Sequence, residues 1–371
     1  MNCSKLIILV ILFFLSGCQT TKNARIINDK FTPYPPSKSK YIKGINQQQW
    51  QVISKIGDPL NCKNRIETLN KIKEGNKIYS KDFRNNSEIL QDSIYQYDVT
   101  FLNEGTYNLE DVIYLPKDKY LIGLGDVILN AENVDVGIMH SGFLKNITID
   151  KAKKYGIDLV ENSTTYMVVI SRTGIDSEFN HHGNGVNSSN NNSSSNCLVS
   201  VESAFGYNEK ESTGKVTGKG GNADGFTVKY SAYDITFIDT HAHHNSDDGY
   251  DFWKGGILKK SYPNEPTIRI FYSSANLNGK NPFAPNGDGN GFKFGSGDNN
   301  QIHMGKDAGK RLVYGSVACN NLVRGFDRNE TPREIIANNL DASGNKINFY
   351  KIKNKNIFND QFMLNCGMFP K

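Results

Sequence analysis

Asn245-Ser246-Asp247-Asp248-Gly249-Tyr250-Asp251-Phe252-Trp253 sets three carboxylates around one glycine and follows that glycine with a large apolar residue. The glycine-apolar pair recurs in Tyr155-Gly156-Ile157-Asp158, Thr173-Gly174-Ile175-Asp176, Asp224-Gly225-Phe226-Thr227, Asn290-Gly291-Phe292-Lys293 and Arg324-Gly325-Phe326-Asp327. The steps between these glycines, in chain order and including Gly249, are 18, 51, 24, 42 and 34 residues. Steps of 18 and 24 match one turn of a solenoid, and longer ones match a turn carrying an insertion or two turns. The architecture expected is a parallel β-helix. Each coil buries its apolar residue on that of the coil before it, with coils about 4.8 Å apart. Glycine before the inward residue is expected to supply dihedrals that other residues resist. The 51-residue step holds the low-complexity run Asn187 to Asn196, expected as a surface loop.

Register turns such repeats into spatial columns. Aligning the glycines sets Asp224 against Asp248, and Asp251 against Lys293 and Asp327. With Asp247 next to Asp248, the carboxylates of Asp224, Asp247, Asp248 and Asp251 converge on two neighbouring coils. Like charges that close disfavour one another's ionisation unless a cation joins them. Calcium, which takes six to eight oxygens in flexible geometry, suits the set. Zinc is the rival because His241, His243 and His244 stand just upstream. They lack the HExxH arrangement, and strand alternation sends neighbours to opposite sides. His243 and His244 are therefore assigned to substrate binding. Lys293, between Phe292 and Phe294, points outward if the phenylalanines point in. A cation beside it would lower its pKa toward that of a usable general base.

Asn222-Ala223-Asp224-Gly225-Phe226, the stretch from Asn245 to Trp253, and Gly289-Asn290-Gly291-Phe292-Lys293-Phe294-Gly295 occur in that order. Together they resemble the motifs of polysaccharide lyase family 9, strongly over about 220 to 330 and more loosely back to about 98. The resemblance implies an all-β, right-handed parallel β-helix of the pectate-lyase kind. It also implies Asp224, Asp247, Asp248 and Asp251 as calcium ligands and Lys293 as base in β-elimination at a 4-linked polyuronate. Arg311, Arg324 and Arg328 follow closely and could hold further carboxylates, since a guanidinium fork matches a carboxylate. Two other readings use the same scaffold, a uronate C5-epimerase and a non-catalytic glycan-binding solenoid. A glycoside hydrolase fits poorly, because it needs one protonated carboxyl of a spaced pair.

Upstream of the coils, Trp50, Ile53 and Ile56, and then Ile66, Leu69 and Ile72, repeat at helical spacing. Near Asp98 the pattern changes to short β-rich runs, beginning with Val99 to Leu102 and Val112 to Leu115. At the N-terminus, Lys5, the apolar run Leu6 to Leu15, and Ser16-Gly17-Cys18 resemble a bacterial lipoprotein signal. That run is too short to span a bilayer core of about 30 Å. The organisation expected is a signal peptide over 1–17, a polar tether over 18–43, a helical cap over 44–97 and the β-helix over 98–371. Acylated Cys18 would anchor a monomeric chain to a lipid bilayer at the bacterial cell envelope, on the periplasmic or extracellular face. Forty-three Lys and Arg against 38 Asp and Glu give a net charge of +5. That balance, without a clustered basic face, excludes nucleic acid as the expected partner and tolerates an acidic polysaccharide. Cys62, Cys197, Cys319 and Cys366 permit three pairings in an oxidising compartment.

Overall fold

The computed structural model describes residues 34–369, except 57–61, 80–86, 161, 175–182, 189–193, 203–208, 211–215, 219–221, 230–233, 254–265, 281–286, 296–308, 330, 332–333 and 356–363. The signal, Cys18 and most of the expected tether therefore lie outside the described residues. Three ten-residue helices come first: α1 (Gln47–Ile56), α2 (Cys62–Lys71) and α3 (Ser87–Gln96). The chain then winds into coils whose strands form a fifteen-stranded sheet and a nine-stranded sheet. Among the described residues, every pairing within these two sheets is parallel, as a β-helix requires. The strand Ser194–Glu202 pairs with both Ile235–Ile238 and His241–His243, so the larger sheet divides there into two faces. The coil thus has three sides.

The nine-stranded sheet carries the glycine repeat. Its register aligns Ile138, Ile157, Val186, Phe226, Tyr250, Phe292, Phe326 and Phe349 in one inward column. From Phe226 to Phe349 the rings stack with centroids 4.8, 4.4, 4.9 and 5.4 Å apart. These spacings are near one strand separation, so coil stacking and ring stacking share one period. All four residues expected to meet inside, Phe226, Tyr250, Phe292 and Phe326, belong to one continuous core.

Two expectations need correction. The glycines of the column do not adopt left-handed dihedrals. A Cβ on Gly225, Gly249, Gly291 or Gly325 would stand 2.7, 2.7, 2.5 or 2.6 Å from the next coil's carbonyl oxygen. Glycine is required for close approach of backbones, not for a turn. In addition, the column member between Gly156 and Gly225 is Asn184-Gly185-Val186-Asn187, and Ile175 and Asp176 of the expected Thr173-Gly174-Ile175-Asp176 lie outside the described residues. Gly174 is a turn residue with φ +73°. The Asn-rich run is correspondingly not one loop: Asn184–Ser188 and Ser194–Glu202 are strands, and 189–193 lie outside the described residues.

The turn before the nine-stranded sheet holds a second ladder, of amides. Asn245 Nδ2 donates to Asn278 Oδ1 at 2.9 Å, Asn278 Nδ2 to Asn321 Oδ1 at 2.8 Å, and Asn321 Nδ2 to Asn345 Oδ1 at 3.0 Å. Each acceptor also takes the backbone N–H of the preceding coil's asparagine. Buried turn backbone is thereby satisfied from coil to coil.

Residues 34–43 are not tether. Tyr41 is buried and stacks on His243 with centroids 3.5 Å apart, and the Tyr34 carbonyl accepts from Thr148 Oγ1 at 2.8 Å. The aromatic and proline content of Tyr34-Pro35-Pro36 and Tyr41 gives this stretch apolar surface to bury, so it packs on the helix wall. Cys319 and Cys366 form a disulfide, which ties the C-terminal 3-10 turn (Cys366–Met368) to the coil. Cys62 is disulfide-bonded as well.

Candidate functional site

The residue before each column glycine reads Asn184, Asp224, Asp248, Asn290 and Arg324 along successive coils, and the register confirms the neighbouring column Thr227, Asp251, Lys293, Asp327. Backbone N–H groups of adjoining coils fix the carboxylates. Asp248 N donates to Asp224 Oδ1 at 3.1 Å, and Asn290 N and Nδ2 both donate to Asp248 Oδ1, at 2.7 and 2.9 Å. Asp247, in the turn, accepts from Asn222 N at 2.8 Å and from Asp288 N. The acids thus stand on a rigid solenoid wall and fill none of its core.

One carboxylate oxygen each from Asp224, Asp247 and Asp248 lies within 4.8 Å of the others, and all three residues are buried. Asp251 stands beside this trio, not within it. Lys293 Nζ is 2.9 Å from Asp248 Oδ2, 3.9 Å from Asp251 Oδ2 and 3.2 Å from Asp288 Oδ2. Burial raises the pKa of Asp224 well above the carboxylate range, and Asp247, Asp251 and Asp248 push it further. Asp247 is raised by burial and then by Asp248. Asp248 is raised by burial against the pull of Lys293. Asp251 is pushed up to about 6 by burial, again opposed by Lys293. For Lys293, burial disfavours the ammonium, but Asp248, Asp251, Asp247 and Asp224 outweigh it and hold the group protonated above its ordinary range. The lowering expected from sequence was for Lys293 with a cation beside it, whose charge would offset these four acids.

The cluster fits a hard cation. Among the described residues, Asp251 Oδ1 is buried with no hydrogen-bond partner, and Asp248 Oδ2 makes no hydrogen bond and has only the Lys293 ammonium as ion-pair partner. Buried carboxylate oxygens left in this state are costly unless charge is supplied to them. Their all-oxygen character selects for calcium or magnesium over softer metals.

The other expected site residues divide. Arg324 shares the wall: its Nη1 donates to Asp327 Oδ2 at 2.7 Å, and its guanidinium lies 4.0 Å from the Tyr350 ring centroid. Arg328 is part-buried and donates to the Thr331 carbonyl. Arg311 cannot meet a polymer. It is 2% exposed and aligned with Ile268 and Ile335, because strand alternation turns it the same way as core Val313. His243 is also removed from solvent, under Tyr41 and within 3.3 Å of the Tyr34 hydroxyl. Half-buried His244 packs on His243, their Nδ1 atoms 3.2 Å apart. Neither histidine belongs to the acidic cluster. Asn184, Asn290 and Asp288 were not singled out from sequence. The pre-glycine column would have found the two asparagines, whereas Asp288 comes from a turn that no repeat predicts.

A family model described as "Pel9A-like, right handed beta helix region" matches residues 67–359. Pectate lyase L of Dickeya dadantii (strain 3937) is 26% identical over 209 residues, covering 56% of this chain and 42% of that protein. Pectate lyase L of Thermoclostridium stercorarium is 32% identical over 130 residues, covering 34% of this chain and 10% of that one. The chain therefore spans less than half the length of these curated relatives. The crystal structure of pectate lyase Pel9A superposes with a TM-score of 0.51 at 21% identity, over 70% of this chain and 64% of that one.

Proposed function

The chain belongs to the Pel9A-like family of right-handed β-helices, and from that premise we propose that it is a calcium-dependent lyase that cleaves a 4-linked polyuronate by β-elimination. The observation that carries the reading is one amine set against buried carboxylates on a single wall, with Lys293 Nζ 2.9 Å from Asp248. Asp224, Asp247, Asp248 and Asp251 would hold the ion. When bound, calcium would act as a Lewis acid on the uronate carboxylate and make the C5 proton more acidic. Lys293 then accepts the C5 proton on Nζ. The C5–H electron pair forms the C4–C5 double bond, the C4–O4 bond breaks, and O4 leaves with its electron pair and gains a proton from solvent. A neutral amine is needed, and ion binding among the carboxylates relieves the negative field that keeps Lys293 charged. Arg324, on the same wall, would pair with the carboxylate of a neighbouring sugar.

Export to an oxidising compartment, with a signal over 1–17 and a lipid anchor at Cys18, is part of the proposal, and the Cys319–Cys366 disulfide supports it. Among the described residues no helix is long and apolar enough to cross a membrane. The test is to incubate the purified chain with a panel of polyuronates, with calcium and with chelator, and to follow the ultraviolet absorbance of the 4,5-unsaturated product. Calcium-dependent absorbance on at least one polymer is the expected result. Inversion at C5 without unsaturation would replace the lyase by an epimerase, and binding without any product would leave a glycan-binding solenoid.

A further inference from the structure

We propose a second carbohydrate site, for an acidic oligosaccharide, in a recess of about 420 Å³ on the outer face of the fifteen-stranded sheet. Its walls come from the end of α2 (Asn70), the segment that follows it (Lys73), the strand Asn76–Ile78 (Lys77) and the strand Phe143–Asp150 (Lys145, Asn146). None of these elements contributes to the acidic cluster.

Two features distinguish the recess from an ordinary dent. The sheet is built to open there. Pairing between Val99–Asn108 and Tyr120–Asn130 shifts register at Asn103/Gly105, and pairing between Tyr120–Asn130 and Phe143–Asp150 shifts at Ile122/Ile128. The extra residues swing out, leaving Leu124 37% exposed at the rim. Bulges of this kind re-aim side chains and interrupt pairing. Asn146, with φ +55°, spans the opening and donates to the carbonyls of Gly123 and Gly125.

The second feature is charge. Three lysines line the recess and no carboxylate does. Of the acidic groups on the same bulge, Asp126 pairs with Lys38, and Glu104 stands outside the lining, its Oε2 3.2 Å from where a Cβ on Gly125 would be. Lys145 is anchored by the Asn70 side chain at 2.8 Å, and burial, followed by the charge of Lys73, lowers its pKa. An anion placed among the three ammonium groups relieves this crowding. Asn146 Oδ1, whose amide nitrogen is engaged by the two carbonyls, suits a sugar hydroxyl, and Leu124 suits an apolar sugar face. That the acid is a uronate rests on the function proposed above, whereas the preference for an anion does not. Held at two places, a polymer would dissociate more slowly than from either site alone.

The probe is trigalacturonate, titrated calorimetrically into the purified chain in excess chelator, so that the acidic cluster holds no ion. Binding is expected for the parent and for Asp248→Asn, to weaken with added salt, and to fall about fivefold or more in the Lys73→Gln/Lys77→Gln double variant, two exposed substitutions. Lys145→Gln, checked by circular dichroism for intact fold, should weaken it further. The proposal is overturned if the double variant binds like the parent, or if neutral maltotriose binds as tightly. It is also overturned if Lys73 and Lys77 prove necessary only for binding to phosphatidylglycerol vesicles. If the chain forms no unsaturated product yet still binds trigalacturonate through Lys73 and Lys77, the lyase reading fails and this site stands.

Discussion

Lys293 is the only cation paired with Asp248 and Asp251 among the described residues, so removing it changes metal binding as well as chemistry. In Lys293→Ala the carboxylates lose a competitor for an incoming ion, and calcium should bind as tightly as in the parent or more tightly. Isothermal titration of both proteins checks this, and clearly weaker binding by the alanine variant would show that the ammonium helps to assemble the cluster. Asp224, Asp248, Asp251 and Lys293 were legible in the sequence because each occupies a repeat position, where register alone decides proximity, and Asp247 followed as the neighbour of Asp248. The upward pull of the acids on the Lys293 pKa was not legible, since it depends on how many carboxylates the fold buries around one amine. Arg311 and His243 were misassigned for a common reason. Both sit on strands of the larger sheet, and whether such a side chain meets solvent depends on which face is covered, by core at Arg311 and by residues 34–43 at His243.

At the level of the coil, the glycine column and the asparagine ladder are two separate constraints on stacking. Gly291→Ala would place a methyl group 2.5 Å from the Gly325 carbonyl oxygen, on a backbone with no room to yield. It should cost about 1–3 kcal/mol or more, as overpacking does, and urea denaturation will measure it. Asn278→Ala removes an acceptor from Asn245 and a donor to the Ala242 carbonyl, both buried. The expected loss is about 1–3 kcal/mol for each buried partner left unpaired. A smaller loss is expected for Asn345→Ala, at the half-exposed end of the ladder. The inward aromatic column was readable from the glycine-apolar pairs. The reason for glycine was not, because close approach and left-handed dihedrals favour the same residue. Nor was Gly185, since valine after it and the asparagines around it masked the repeat.

Across the whole molecule, the acidic cluster links stability to pH and to metal. Asp251 titrates near 6 in the folded chain, above its ordinary value of 3.8. The folded state therefore holds more protons than the unfolded state between those values, and stability falls as pH rises through that window. Calcium should offset the loss, so the gain in Tm on adding calcium should be larger at pH about 7 than at pH about 4. Differential scanning calorimetry at the two pH values tests this, and an equal gain at both would contradict it. Opening the Cys319–Cys366 link, which closes a 47-residue separation, should lower stability by up to about 4 kcal/mol in the chain-entropy model. Comparing Cys366→Ser with the parent in denaturant will show it. The central claim is that the acids bind an ion while Lys293 moves the proton. The most direct test compares initial rates of unsaturated-product formation by the parent and by Lys293→Ala, both saturated with calcium, alongside calorimetric binding of the oligouronate to each. The account predicts near-equal oligouronate affinity and a rate lower by about 10² or more in the variant; a variant that turns over within a few-fold of the parent would contradict it.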